Sequence, residues 1–318
     1  MTNSLIDSST VGNHAFREES SCNQAFEQLL PVWHLYTPGN LSEIIFTDDE
    51  EFKFGMNLTA LCCSRFPSLR ILTFQLMSNH IHFIISGDKD EIIKWFSLFK
   101  SKLRRYLHAI GRSDVDLCNF SPSLKAVEDI NYLRTSIVYV NRNGYVVHPD
   151  ETPFSYKWGA NRMYFNEDAK LRADEIYKNL GNRNKRKMFR SHDVYCPGEY
   201  KLTESAITPA SYCFVDEGEK TFRNAHQYFA LISRGIESYG PIARELADKV
   251  FYTDDELYQL LTRLSMSQYD CPPKLLNKEA KIKIARQLHF DYNATDKQIM
   301  RMLKLDEYIV RSLFPGSN

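Results

Sequence analysis

The sequence lacks any charge imbalance: 40 Lys and Arg are matched by 40 Asp and Glu in 318 residues. Without net charge there is no whole-molecule attraction for a polyanion, so a nucleic-acid surface has to come from local segregation of charge. Long apolar runs are also missing. Stretches such as "HIHFIIS" and "SIVYV" fall well short of the roughly 20 residues needed to cross a bilayer, which argues against membrane spans and membrane partners. The opening "MTNSLIDSSTVGNHAFREESSCNQ" is polar and has no apolar centre of a secretory signal, so residues 1–29 are expected to form a flexible tail. Seven cysteines include no Cys-x-x-Cys pair, and Cys62 and Cys63 adjoin within an expected helix. Reduced, mostly buried thiols in a cytoplasmic protein are the expectation. No unit of fixed period recurs, which argues against a solenoid.

What is present reads as alternating strands and helices. "VWHLYTPG" is a strand closed by Pro38-Gly39, and Thr47-Asp48-Asp49-Glu50 then opens a helix with an N-cap and an acidic first turn. "LRILTFQLMS" and "HIHFIIS" make two strands joined at Ser78-Asn79. Residues 88–112 form a helix whose Ile92, Trp95, Phe96, Phe99 and Leu103 share one face. From Lys94 to Arg112 that helix carries six basic residues and no acidic one, so Lys100, Lys102, Arg104 and Arg105 are candidate phosphate contacts, with a solvated surface face as the plainer alternative. After the loop "SDVDLCNFSPS" a further helix is expected over "LKAVEDINYLRTSIVYVNRNG".

Beyond residue 160 the composition shifts. Residues 161–225 read as a basic linker with short strands, and Arg183, Lys185, Arg186, Lys187 and Arg190 supply five basic residues between 182 and 190. Residues 226–318 read as helical. Their end divides into three helical pieces, the middle one capped by Thr295, with nine basic and five acidic residues between Lys274 and Arg311. This pattern resembles a small helix-turn-helix, in which Arg301 is a candidate DNA contact.

The chemistry rests on "LMSNHIHFIIS", where His80 and His82 flank Ile81. Alternate residues of a strand share a face, so the pair can supply two metal ligands, although such pairs are more often partly exposed strand residues. Metal-assisted attack on a phosphate also needs a nucleophile and a third ligand from a neighbouring element. The helix containing "IVYVNRNGY" places Tyr139 and Asn143 four residues apart on one face, and Tyr132 and Tyr145 compete with Tyr139 as nucleophile.

At these residues a family likeness becomes readable. "WHLYTPGN", "IIFTDDEEF" and "LRILTFQLMSNHIHFIISG", followed by "YVNRN" and "TPFSY", resemble the REP-associated single-tyrosine transposases of the HUH superfamily of single-strand DNA endonucleases. The likeness covers about residues 30–160 and departs from the family pattern at Ser78 and Gly144, where proline is usual. It implies an α+β fold, a ferredoxin-like antiparallel sheet with helices on one face, followed by a mainly helical C-terminal extension. It further implies that His80, His82 and Asn143 bind Mg²⁺ or Mn²⁺ and that Tyr139, with Tyr132 as runner-up, forms a covalent 5′-phosphotyrosine bond. The implied partners are single-stranded DNA hairpins, of the kind formed by repeated palindromic elements, met at the bacterial nucleoid by a monomer or homodimer. Two alternatives remain: a sequence-specific DNA-binding regulator that no longer cuts, and a relaxase or replication initiator, although no helicase-like or primase-like segment is visible.

Overall fold

A computed structural model describes residues 8–38, 43–147, 155–233, 254–292 and 294–314. Its first half alternates as the sequence pattern predicts: β1 (Val32–Tyr36), α2 (Asp49–Cys63), β2 (Arg70–Leu76), β3 (Ile81–Ser86) and α3 (Lys89–Ala109), preceded by α1 (Ser8–Glu27). Asp48 caps α2 by accepting from the Glu51 amide, and Asp88 caps α3 by accepting from those of Asp90 and Glu91. Acidic first turns at both helices match the positive end of the helix dipole.

The stretch 124–144, expected to be continuous helix after the loop at 113–123, is instead occupied by β4 (Ser123–Val127) followed by α4 (Ile130–Val147). "LKAVEDI" has ordinary helical composition, but pairing with β1 over five residues, Val32 with Val127 to Tyr36 with Ser123, overrides that local preference. The sheet runs β2-β3-β1-β4 with every neighbour antiparallel. Helices cover both faces, not one. Phe74 and Phe83 stack at 5.1 Å on one face, where Trp95 of α3 meets Phe83 edge-on and Gly55 of α2 lies against Leu76. α4 crosses the opposite face, because its Asn141 bonds the Thr73 hydroxyl and Tyr139 meets His82.

The two faces differ in kind. The face toward α2 and α3 presents Leu35, Phe74, Leu76, Ile81, Phe83 and Ile85, all fully buried and apolar. The face toward α4 buries His34, Thr73, Gln75 and His82 just as completely. Packing alone does not call for that, since a buried polar group is unfavourable unless something pairs with it.

Two stretches read from sequence as loose are built into the core. Within residues 1–29, α1 buries Cys22 and Phe26, Leu29 follows it into the core, and Glu19 accepts from Arg134 of α4 at 2.8 Å. A flexible tail is therefore not what the described part of this segment forms. Residues 161–225 are likewise no linker. They contribute α5 (Glu167–Leu171), a small sheet of β5 (Glu175–Ile176), β6 (Lys201–Thr203) and β7 (Ala206–Ile207), α6 (Asn182–Phe189) and α7 (Val215–Glu219). Tyr164, Tyr177, Phe189, Leu202, Ile207 and Tyr212 join the same apolar cluster as the main sheet. A helix over 225–233, α8, also belongs there: the Tyr228 hydroxyl accepts from Asn141 Nδ2 at 2.9 Å.

The remaining helices, α9 (Asp254–Tyr269), α10 (Lys278–Phe290), α11 (Asp296–Leu303) and α12 (Glu307–Leu313), enclose a second apolar cluster. Thr295 and Gln298 form a reciprocal capping box at the start of α11. Met77 and Tyr156 complete this cluster from the sheet side, so the C-terminal helices rest on the turn that carries His80.

β2 acquires a further neighbour at its outer edge. Leu76 N donates to Trp158 O, Ala160 N donates to Phe74 O, and Gly159 bridges Gln75. A Cβ on Gly159 would lie 2.6 Å from both the Phe74 carbonyl oxygen and Gln75 Cγ, and the carbonyl, fixed in the strand pairing, has no room to yield. Gly159→Ala is expected to destabilise the fold by about 2 kcal/mol, read as a lowered midpoint in denaturant unfolding. Among the described residues no helix is long and apolar enough to cross a membrane.

Candidate metal and tyrosine site

His82 lies within β3, and its ring is directed at α4. His80 precedes the strand in the turn closed by the Met77 amide and the His80 carbonyl, and its ring lies 5.0 Å from that of His82 at nearly a right angle. Both are fully buried. Each has a partner on Nδ1. His80 Nδ1 donates to Asn79 Oδ1 at 2.8 Å, and His82 Nδ1 is 3.1 Å from Nε2 of His34. A ring whose Nδ1 carries the proton presents the lone pair of Nε2, the arrangement that orients a metal-binding imidazole.

Tyr139 completes the group from above. Its ring lies 5.5 Å from that of His82 and 6.0 Å from that of His34, edge-on in both cases, and it is 2% exposed. One helical turn further on the same face is Asn143, fully buried, and neither its Oδ1 nor its Nδ2 has a hydrogen-bond partner among the described residues. An orphaned amide inside a protein costs about 1–3 kcal/mol, so this side chain is held for something other than stability. Two imidazoles fixed at Nδ1 and an unpartnered amide form a donor set that fits a divalent cation.

Tyr132, the runner-up, lies two turns earlier and packs under the Lys125 ammonium of β4 at 4.8 Å, while its own hydroxyl is buried without a partner among the described residues. The side chain of Tyr145 falls outside the described residues. His34 and Tyr36 were missed from sequence. They alternate on β1, Tyr36 opposite His82 in register and His34 two residues back, so that His34 meets the His82 ring diagonally. The alternation is legible in "VWHLYTPG", but which strand lies beside it is not.

The candidate phosphate contacts divide. Arg105 and Arg190 meet at the rim of one shallow cleft between α3 and α6, and Lys187 lines its continuation with Arg190. This brings two distant basic segments together, but on the α2 and α3 side of the sheet, away from Tyr139. Lys102 is mostly buried and bonds Asp193 at 2.7 Å, which makes it a structural partner and not an open contact. Burial opposes charge on Asp193, yet Lys102 and Arg65 outweigh it and hold the carboxyl below its usual range. Burial and the neighbouring Arg104 lower the pKa of Lys100. Lys185 lies over the Tyr177 ring at 4.5 Å, whereas Arg104, Arg183 and Arg186 are exposed. Arg301 is exposed on α11.

One acidic group also has metal-like spacing, Glu167, Asp216 and Glu219. Lys170 already fills it, bonding the three at 2.8, 2.7 and 2.9 Å. Burial disfavours that ammonium, but three carboxylates more than compensate and raise its pKa well above the usual lysine range.

No protein-family model, no curated protein and no solved structure matches this chain.

Proposed function

We propose that the protein is a metal-dependent single-strand DNA endonuclease and strand transferase of the transposase type, built on a ferredoxin-like HUH scaffold. The observation that carries this reading is the meeting, on the polar face of the sheet, of His80, His82 and Tyr139, with the orphaned Asn143 one helical turn beyond Tyr139 on α4. The β-α-β-β-α-β order with strands β2-β3-β1-β4 supports the scaffold.

In this reading His80, His82 and Asn143 would hold Mg²⁺ or Mn²⁺, which would supply Lewis acidity for phosphoryl transfer. The Tyr139 oxygen attacks the phosphorus and gives up its phenolic proton to water. The bond to the 3′-oxygen breaks, that oxygen takes a proton and leaves as a 3′-hydroxyl, and the 5′-phosphate remains on tyrosine. Attack by another 3′-hydroxyl reverses the step and transfers the strand. The bond energy is conserved in the phosphotyrosine, so no nucleotide cofactor is required. His34 acts through His82: with the proton on His82 Nδ1, His34 Nε2 accepts a hydrogen bond from it and fixes the ring. His34→Ala is therefore expected to weaken Mn²⁺ binding by about 10–100-fold, measured by titration calorimetry.

The site is sealed, with Tyr139 2% exposed and both histidines fully buried. That burial favours the second reading, a DNA-binding regulator that keeps the residues and does not cut. The experiment that separates the two is detection, on a denaturing gel, of a covalent adduct with single-stranded hairpins from the flanks of the gene in Mn²⁺. Tight binding without adduct would select the regulator.

A further inference from the structure

A second set of cations lies at the end of the cross-sheet row that carries the tyrosine site. Tyr36 pairs with His82, His82 with Gln75, and Gln75 with Gly159. Gly159 is thus two strand spacings, about 10 Å, from His82 in the same row. Beside it, toward α2, is a cavity of about 80 Å³ lined by Trp158, Lys157, Arg162, Arg172, Lys53 and one carboxylate, Glu204.

Cations outnumber the single lining carboxylate, Glu204. Lys53 bonds Glu50 at 2.9 Å, but Lys157, Arg162 and Arg172 have no ion-pair partner among the described residues, although Arg162 is half-buried. Like charges converging on one small cavity repel one another, and a bound anion is the economical relief. The frame that holds them is rigid. Arg162 lies in a short turn, Asn161–Met163, stitched to β2 through Trp158 and Ala160, and the Tyr156 hydroxyl donates to Leu76 O at 2.6 Å. Trp158 stacks on Phe52 at 5.1 Å and adds an aromatic wall. Cations beside an aromatic ring suit a nucleic-acid strand, whose phosphates and bases need one of each.

We infer that this cavity is a phosphate subsite that holds the backbone of a single DNA strand as it approaches the Tyr139 row over the edge of β2. The inference rests on the proposed cleavage reading for its substrate. None of its residues belongs to the tyrosine site.

The test is fluorescence anisotropy of a labelled DNA hairpin with a single-stranded flank, over a salt series, with wild type, Arg162→Ala/Arg172→Ala and Arg162→Lys/Arg172→Lys. The alanine pair is expected to weaken binding at least about tenfold. It is also expected to flatten the dependence of log affinity on log salt by about 1.4, or 0.7 for each lost phosphate contact. The lysine pair keeps the charge and is expected to keep the slope, which a merely structural role would not require. Unchanged affinity and slope in the alanine pair overturn the inference, as does a wild-type protein that does not bind the hairpin. The adduct assay is read in parallel, at saturating DNA, where the alanine pair should still react. A flattened slope with no adduct in wild type removes the cleavage reading and leaves the subsite standing.

Discussion

Tyr139→Phe is expected to abolish the covalent protein–DNA adduct while leaving hairpin affinity within about twofold of wild type. The substitution removes one oxygen from a ring that is packed edge-on against His82 and His34, so shape and burial are preserved while the proposed nucleophile is lost. Deleting a nucleophile costs a rate factor of about 10⁴ or more, far outside the range of a packing change. Tyr132→Phe is the matched control. Its ring packs under Lys125 and not against the histidines, so adduct formation should persist. An adduct that survives Tyr139→Phe and disappears in Tyr132→Phe would reverse the assignment and leave the reaction class intact.

The second large effect is expected at Asn143, with opposite signs for stability and for metal binding. In the metal-free protein the buried amide is desolvated without compensation, so Asn143→Leu, of similar volume, should stabilise the fold by about 1–2 kcal/mol. Mn²⁺ at one hundred times its dissociation constant should stabilise wild type by about 2.7 kcal/mol, and this increment should largely disappear in the variant. Thermal unfolding with EDTA and with Mn²⁺ measures both quantities in one experiment. A variant that is less stable without metal would mean that Asn143 is satisfied in solution. One that keeps the full Mn²⁺ increment would mean that it is not a ligand.

The two predictions bear on different parts of the same arrangement. Helix α4 presents Tyr139 and Asn143 from one face, and β3 with the turn before it presents His82 and His80 from below. Asn79 and His34 lie behind the histidines, and their loss should act on ring orientation before it acts on anything else. The C-terminal helices press on the same turn through Met77. Movement of that unit would therefore be felt at His80.

Local chemistry made much of this legible in the chain itself. Asp48 and Thr295 announce their helices because an N-cap side chain satisfies amides only three residues away. The tight turn at Ser78-Asn79 and the three C-terminal helices are readable for the same reason, as is the spacing of Tyr139 and Asn143 along one helical face. Alternating faces in "HIHFIIS" put Ile81 and Phe83 opposite His82. All of these depend on neighbours within a few residues.

What only tertiary structure decided depends on partners distant in sequence. β4 exists because β1 pairs with it some 90 residues away, against the helical look of its own residues. His34 enters the site because β1 lies beside β3, a choice no alternation pattern reports. Segment 161–225 is basic in composition, yet its tyrosines and leucines find the core of the main sheet, and apolar burial outweighs the linker-like surface. Lys102 looks like its neighbours on α3 until Asp193 arrives from beyond α6 to pair with it. The sequence by itself determined which side chains can do chemistry and how they are spaced along each element. The packing of elements determined which of them meet, because burial and strand pairing act between residues that the chain does not hold near one another.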